Sequence, residues 1–147
     1  MLRVVVQQVS TQADLEAALS VRRRVFIDEQ GVTPDLEIDE HDVLGRDTTH
    51  VIALLDGQAV GAGRLRPVAP GVAKLERLAV LAEHRGNGVG VAITHYLEAL
   101  AQQLGLTHLT MNAQHSACGF YEKLGYSAVG PQFLEADIVH QKMEKKL

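Results

Sequence analysis

Leu78-Ala79-Val80-Leu81-Ala82-Glu83-His84-Arg85-Gly86-Asn87-Gly88-Val89-Gly90 reads as a strand, a short turn and a glycine loop, and the apolar spacing beyond it reads as a helix. A helix start leaves its first backbone N–H groups without partners inside the helix. The helix dipole adds partial positive charge at the same place. Glycines let the backbone approach an anion closely, and Arg85 adds a fixed charge. The stretch therefore predicts an anion site, with phosphate the natural ligand. It is not a Walker loop, because Val91 and Ala92 stand where a Lys and a Ser or Thr would be needed. Its glycine spacing also differs from a dinucleotide fingerprint. Glycines that only shape a strand–helix turn remain the alternative at this point.

Working outward, residues 74–80 form the strand that leads into the loop, and residues 89–104 form the helix. Gly105 stands where a helix-terminating glycine belongs. Upstream, residues 3–8 are a strand, and residues 12–31 carry Leu15, Ala18, Leu19, Arg22 and Phe26 at helical spacing. A short acidic segment follows Pro34. Residues 50–55 are a buried-strand pattern, and Asp56-Gly57 signals a tight hairpin to a partner strand through Gly61, Gly63 and Leu65. Residues 67–71 read as a turn. Downstream, a strand covers 106–112, a short helix 116–124, and two last strands 126–129 and 138–143. The order is β-α-α-β-β-β-α-β-α-β-β, an α/β mixed sheet with helices on both faces, in one domain spanning residues 1–147.

Composition narrows the function. The 147 residues are 46% hydrophobic with a formal charge of -4, so disorder is excluded and no basic field points to nucleic acid. No apolar run is long enough to span a bilayer. The N-terminal Met1-Leu2-Arg3-Val4-Val5-Val6-Gln7 does not read as a signal peptide, and Cys118 is a lone cysteine. These features lead us to expect a cytoplasmic protein with no membrane partner and no metal.

Leu78-Ala79-Val80 followed after four residues by Arg85-x-x-Gly88-x-Gly90 resembles motif A of the GNAT N-acetyltransferases. Ala117-x-x-x-Tyr121-Glu122-Lys123-Leu124-Gly125-Tyr126 resembles the family's second hallmark. A narrower likeness, to the ElaA-like and YjcF-like bacterial branch, runs through residues 21–32, Glu37 to Asp42, Lys74 to Arg77, Asn112 to Gln114 and Phe133 to Ala136. Two departures are Gln114, where many relatives have Asn, and Asp137-Ile138-Val139-His140, where the branch more often has Gly-Ile-Pro-His. The resemblance implies the GNAT fold, with a central, mostly antiparallel, splayed sheet. It also implies acetyl-CoA as donor, a small-molecule amine or peptide as acceptor, and a homodimer in many members.

The site residues follow from the same resemblance. Leu78, Ala79 and Val80 would hold the pantetheine arm through their backbone, with the N–H of Leu78 or Ala79 polarising the thioester carbonyl. Arg85, Gly86, Asn87, Gly88, Val89 and Gly90 would hold the pyrophosphate, and Gln114 and Tyr121 would complete the cofactor contacts. Tyr121 is the candidate general acid toward the departing thiolate. Glu76 is the first candidate for the general base, with His115 and His140 as alternatives. Phe26, Glu29, Glu37, Asp39 and Arg64 are candidate acceptor contacts. The acidic residues Glu37, Asp39, Glu40 and Asp42 either attract a cationic acceptor or form a solvated face. Arg22, Arg23 and Arg24 read as a surface run. Two other readings stand beside transfer to an amine. Arg22-x-x-Val25-Phe26, Glu37-x-Asp39-x-x-Asp42 and Arg64 also look like signatures of acyl-homoserine-lactone synthases. A non-catalytic acyl-CoA-binding module is the third reading.

Overall fold

The computed structural model describes residues 3–147, so Met1 and Leu2, at the head of the N-terminal reading, lie outside the described residues. The strands are β1 (Val4–Gln8), β2 (Thr49–Leu55), β3 (Gln58–Ala69), β4 (Val72–Val80), β5 (His108–Gln114), β6 (Ser127–Ala128), β7 (Phe133–Glu135) and β8 (Ile138–Lys146). The helices are α1 (Gln12–Arg22), α2 (Pro34–Glu37), α3 (Val89–Gln103) and α4 (Cys118–Lys123). The sheet runs β1-β2-β3-β4-β5-β8-β6, with β7 added to β8. Every pairing is antiparallel except β4 with β5.

Two faces of β3 show why the layers form. Gly61 and Gly63 point at α3, where a Cβ on Gly61 would lie 2.8 Å from Ile93 Cδ1 and 3.0 Å from Val89 Cγ1. Side chains alternate along a strand, so Arg64 points to the opposite face. There it meets Asp42, which Arg22 of α1 also holds. The glycines bring α3 close to the sheet. Gly61→Val forces β-branched atoms into packed Ile93 and Val89, and the expected cost is about 1–3 kcal/mol of stability, read by denaturant melts.

Four differences from the sequence reading have physical causes. The first helix continues past Arg22 as a π-helix over Arg23–Glu29, a winding that the 3.6-residue pattern does not encode. Second, β3 runs on through Pro67 to Ala69 instead of turning at Pro67. Its partner β2 stops opposite Leu65, so the missing Pro67 N–H breaks no ladder bond on that side. Third, a strand appears at Phe133–Glu135. Its hairpin turn is Ala136-Asp137, with both residues at positive φ (50° and 62°), where no glycine or asparagine marked a turn. Fourth, β5 begins at His108 rather than 106 and reaches Gln114. Asp56 and Gly57, by contrast, form the expected hairpin turn, at φ 50° and 82°.

Candidate active site

β4 and β5 pair only from Val72 to Lys74, against His108 to Thr110. β4 continues to Val80 and β5 to Gln114, so the two strands diverge beyond Lys74 and open the sheet. A cleft of about 890 Å³ fills the gap, bounded by β4, β5, the glycine loop, α4 and the β7–β8 hairpin.

A bulge shapes the β4 wall. Ala62 pairs with Ala79 and Arg64 with Glu76, so β4 advances three residues while β3 advances two. Arg77 sits at φ 57° in this bulge. Beyond it the peptide directions can be assigned. The Leu81 N–H donates to Val60 O, toward β3, whereas Val80 O accepts from Arg85 Nε at 3.0 Å on the other side. Alternation then turns the Ala79 groups toward β3 and the Leu78 N–H toward the cleft. The sequence left Leu78 and Ala79 equivalent; the ladder separates them.

The glycine loop divides its labour. Gly86 and Gly88 both have φ near 81°, with open space where a Cβ would stand, so they are needed for backbone conformation. Gly90 is needed for packing, since its Cβ would lie 3.1 Å from Phe120 Cζ. Gly88 is the N-cap of α3 and offers no side-chain cap, so the first N–H groups of the helix are left for another partner. Gly86, Gly88, Val89 and Gly90 line the cleft, while Asn87 is exposed and outside its lining. Arg85 lines it too, but its guanidinium is paired with both oxygens of Glu29, at 2.6 and 2.7 Å. Glu29, expected as an acceptor contact, is instead the counterion of Arg85.

Tyr121 lines the cleft from α4, stacked edge-on against Phe120 and Tyr126. Burial, and then the neighbouring Cys118, push its phenol well above the ordinary range, so it stays protonated. Among the described residues no side chain hydrogen-bonds its hydroxyl, and that hydroxyl is not fully enclosed. Cys118 shows no thiolate character, since burial and then Glu122 push its thiol up.

Three candidate bases separate in space. Glu76 lines the cleft, but its carboxylate accepts from Arg66 Nε at 2.8 Å and Arg64 Nε at 3.2 Å, with Lys74 Nζ at 3.5 Å. Burial alone would raise it; the Arg66 hydrogen bond and the charges of Arg64, Arg66 and Lys74 outweigh burial and hold it at about 2. Arg77, next to Glu76 in the chain, is bound instead to Glu37 at 2.7 Å. His115 is exposed, takes a hydrogen bond from Gln132 and is outside the lining. His140 is 6% exposed, lines the cleft and stacks on Phe133. Its Nδ1 lies 2.7 Å from Ile138 O. A carbonyl can only accept, so Nδ1 carries the hydrogen and the neutral ring has its lone pair on Nε2.

Of the acidic segment, Glu40 is exposed to solvent, while Glu37, Asp39 and Asp42 are taken up by arginines. Glu37 and Asp42 are buried, and Arg22 bridges them at 2.6 Å each. Arg64 joins Asp39 at 2.7 Å and Asp42 at 2.9 Å. Of the basic run, Arg23 and Arg24 are exposed as expected, but Arg22 is 1% exposed and belongs to this network. Arg22, Glu37, Asp39, Asp42 and Arg64, which carried the synthase likeness, are thus parts of one buried ion lattice. Of the expected acceptor contacts, Phe26 and Glu37 line the cleft; Asp39 and Arg64 stand behind it. Sequence reasoning missed Gln30, whose Oε1 accepts from Gln114 Nε2 at 2.7 Å across the cleft. It also missed Phe120. No motif pairs residues 84 apart, so only the fold could bring Gln30 to Gln114.

Residues 20–147 match the family described as the acetyltransferase (GNAT) domain. The chain is 40% identical over 135 residues to the uncharacterized N-acetyltransferase YjcF of Bacillus subtilis, covering 91% of this chain and 94% of that protein. It is similar to the crystal structure of an acyl-CoA N-acyltransferase from Pseudomonas aeruginosa, with 31% identity, 99% of each chain covered and a TM-score of 0.84. Escherichia coli ElaA shares the fold at a TM-score of 0.82 and 23% identity, over 99% of each chain. The chain belongs to the GNAT family and is an N-acetyltransferase. No helix among the described residues is long and apolar enough to cross a membrane.

Proposed function

We propose that the protein transfers an acetyl group from acetyl-CoA to a primary amine, by direct attack within a ternary complex in the splayed cleft. The observation that carries this reading is the placement of three groups around one opening. These are the Leu78 N–H, the Tyr121 hydroxyl and the His140 Nε2. Bound acetyl-CoA supplies the thioester whose carbonyl carbon the amine attacks. The Leu78 N–H stabilises the charge that grows on the carbonyl oxygen. His140 Nε2 accepts the proton that the attacking nitrogen gives up, directly or through water. Tyr121 donates a hydrogen bond to the sulfur as the C–S bond breaks. A phenol raised by burial is a weaker acid than a thiol, so Tyr121 acts through that hydrogen bond, and solvent completes the protonation. Glu76, held at about 2, is too weak a base for this proton.

The donor end fits a pyrophosphate, with the uncapped N-terminus of α3, two glycines at positive φ, and Arg85. Arg85→Ala removes a charge-assisted hydrogen bond, so coenzyme A affinity falls about tenfold to a hundredfold by calorimetry. Turnover is tested by an amine panel with acetyl-CoA, read as thiol release. Thiol release above background hydrolysis with at least one amine is the expected result. Tight binding of coenzyme A without release from any amine would leave a binding module. Preference for an acyl-carrier protein as donor would favour the synthase reading.

A further inference from the structure

The acetyl-transfer reading leaves the acceptor open, and the cleft walls carry charge that the transfer itself does not use. On the β4 wall, one connected lattice joins Arg22, Arg64, Arg66, Lys74 and Arg77 to Glu37, Asp39, Asp42 and Glu76. That is five cations against four carboxylates, an excess of one positive charge. The surplus can be located. Arg22 and Arg64 are buried in multiple bonds, and Arg66 and Arg77 each hold a carboxylate at 2.8 Å or closer. Lys74 has only Glu76 Oε2 at 3.5 Å, an oxygen already taken by Arg66 Nη2 at 3.1 Å. Among the described residues its ammonium makes no hydrogen bond, and it lines the cleft.

The opposite wall has the other sign. Glu135 lines the cleft half-exposed, with Oε1 accepting from Asn112 at 3.3 Å and Oε2 3.6 Å from His140 Nε2. A carboxylate beside the base is where a protonated amine would wait before losing its proton.

We propose that the acceptor is a zwitterion, a primary amine that also carries a carboxylate, with its ammonium at Glu135 and its anion at Lys74. This rests on the acetyl-transfer reading and narrows it to one chemical class. It replaces the cationic acceptor expected from the acidic segment, whose buried carboxylates are consumed by arginines. A diamine would meet the like charge of the Lys74 ammonium on the β4 wall.

The test is a panel of α- and ω-amino acids, each assayed beside its own carboxamide, with diamines as the cationic arm. The expected result is a kcat/KM for at least one acid about tenfold or more above its carboxamide. Lys74→Met is expected to raise KM for the acid by a similar factor and leave the carboxamide unchanged. Glu135→Gln, a change at a half-exposed position, is expected to raise KM for both, since both present an ammonium. Equal use of acid and carboxamide, preference for diamines, or a Lys74→Met effect that falls on both alike would overturn the proposal and leave acetyl transfer standing. No thiol release from any amine, with coenzyme A still bound, would remove the acetyl-transfer reading and this proposal with it.

Discussion

Arg22→Met is expected to destabilise the protein by roughly 3 kcal/mol, the lower end of the cost of breaking a buried ion pair. Arg22 Nε holds Glu37 Oε1 at 2.6 Å, Nη1 holds Asp42 Oδ1 at 2.6 Å, and Nη2 reaches Glu37 O at 2.9 Å. All three side chains are nearly sealed from water. Methionine fills the space of the stem but supplies no donor. Glu37 keeps Arg77 and Asp42 keeps Arg64, which places the loss short of a fully orphaned pair. For a chain of this size the melting temperature should fall on the order of 10 °C. Lysine should not rescue it, since a point charge cannot serve two carboxylates and a carbonyl in the fork geometry of a guanidinium. Arg24→Met provides the contrast. Arg24 pairs with Glu83 with both side chains about half exposed, and its loss should leave the melting temperature close to its original value.

The same lattice sets an acid limit. Asp39, Asp42 and Glu76 all sit below their ordinary values in the folded protein, Glu76 at about 2. For each, burial works the other way and is outweighed by arginine hydrogen bonds and charges. The unfolded chain therefore takes up protons first as pH falls. Their contribution to stability is complete above about pH 4 and is lost as pH falls from there through about 2. Urea melts between pH 5 and pH 2 should show the decline.

These residues also mark where the sequence was legible and where it was not. The donor half proposed here leaves a local signal in the sequence. A strand, Arg85, Gly88, Gly90 and a helix follow one another in the chain, so the expected anion site rests on adjacent residues and the uncapped start of α3. The β4 wall of the cleft is assembled from distant segments. Arg22, Asp42, Arg64 and Glu76 are each unremarkable charges until the fold stacks them, and a charge that is buried and paired looks the same in sequence as one in water. That is why Arg22 read as surface, the acidic segment as either a lure or a solvated face, and Glu76 as a candidate base. The choice between Leu78 and Ala79 was closed to sequence for another reason, because it depends on a one-residue bulge at Arg77, and side-chain identity says nothing about which way a peptide points.

His140→Asn is expected to lower kcat/KM by about a hundredfold to ten-thousandfold, the usual span for loss of a positioned general base. The substitution is chosen for what it keeps. Asparagine can still donate from its amide nitrogen to Ile138 O, as Nδ1 does now, so the β7–β8 hairpin retains that tie. It carries no basic nitrogen toward the cleft. Coenzyme A affinity and melting temperature should therefore stay near their original values while kcat falls. Glu76→Gln is the opposing case. It removes a carboxylate that holds Arg64, Arg66 and Lys74, so its effect should appear first in stability and only through that in rate. If instead His140→Asn turned over amines normally, and Glu76→Gln lost activity while remaining fully folded, the base would be Glu76, and its low proton affinity would have to rise when the acceptor binds.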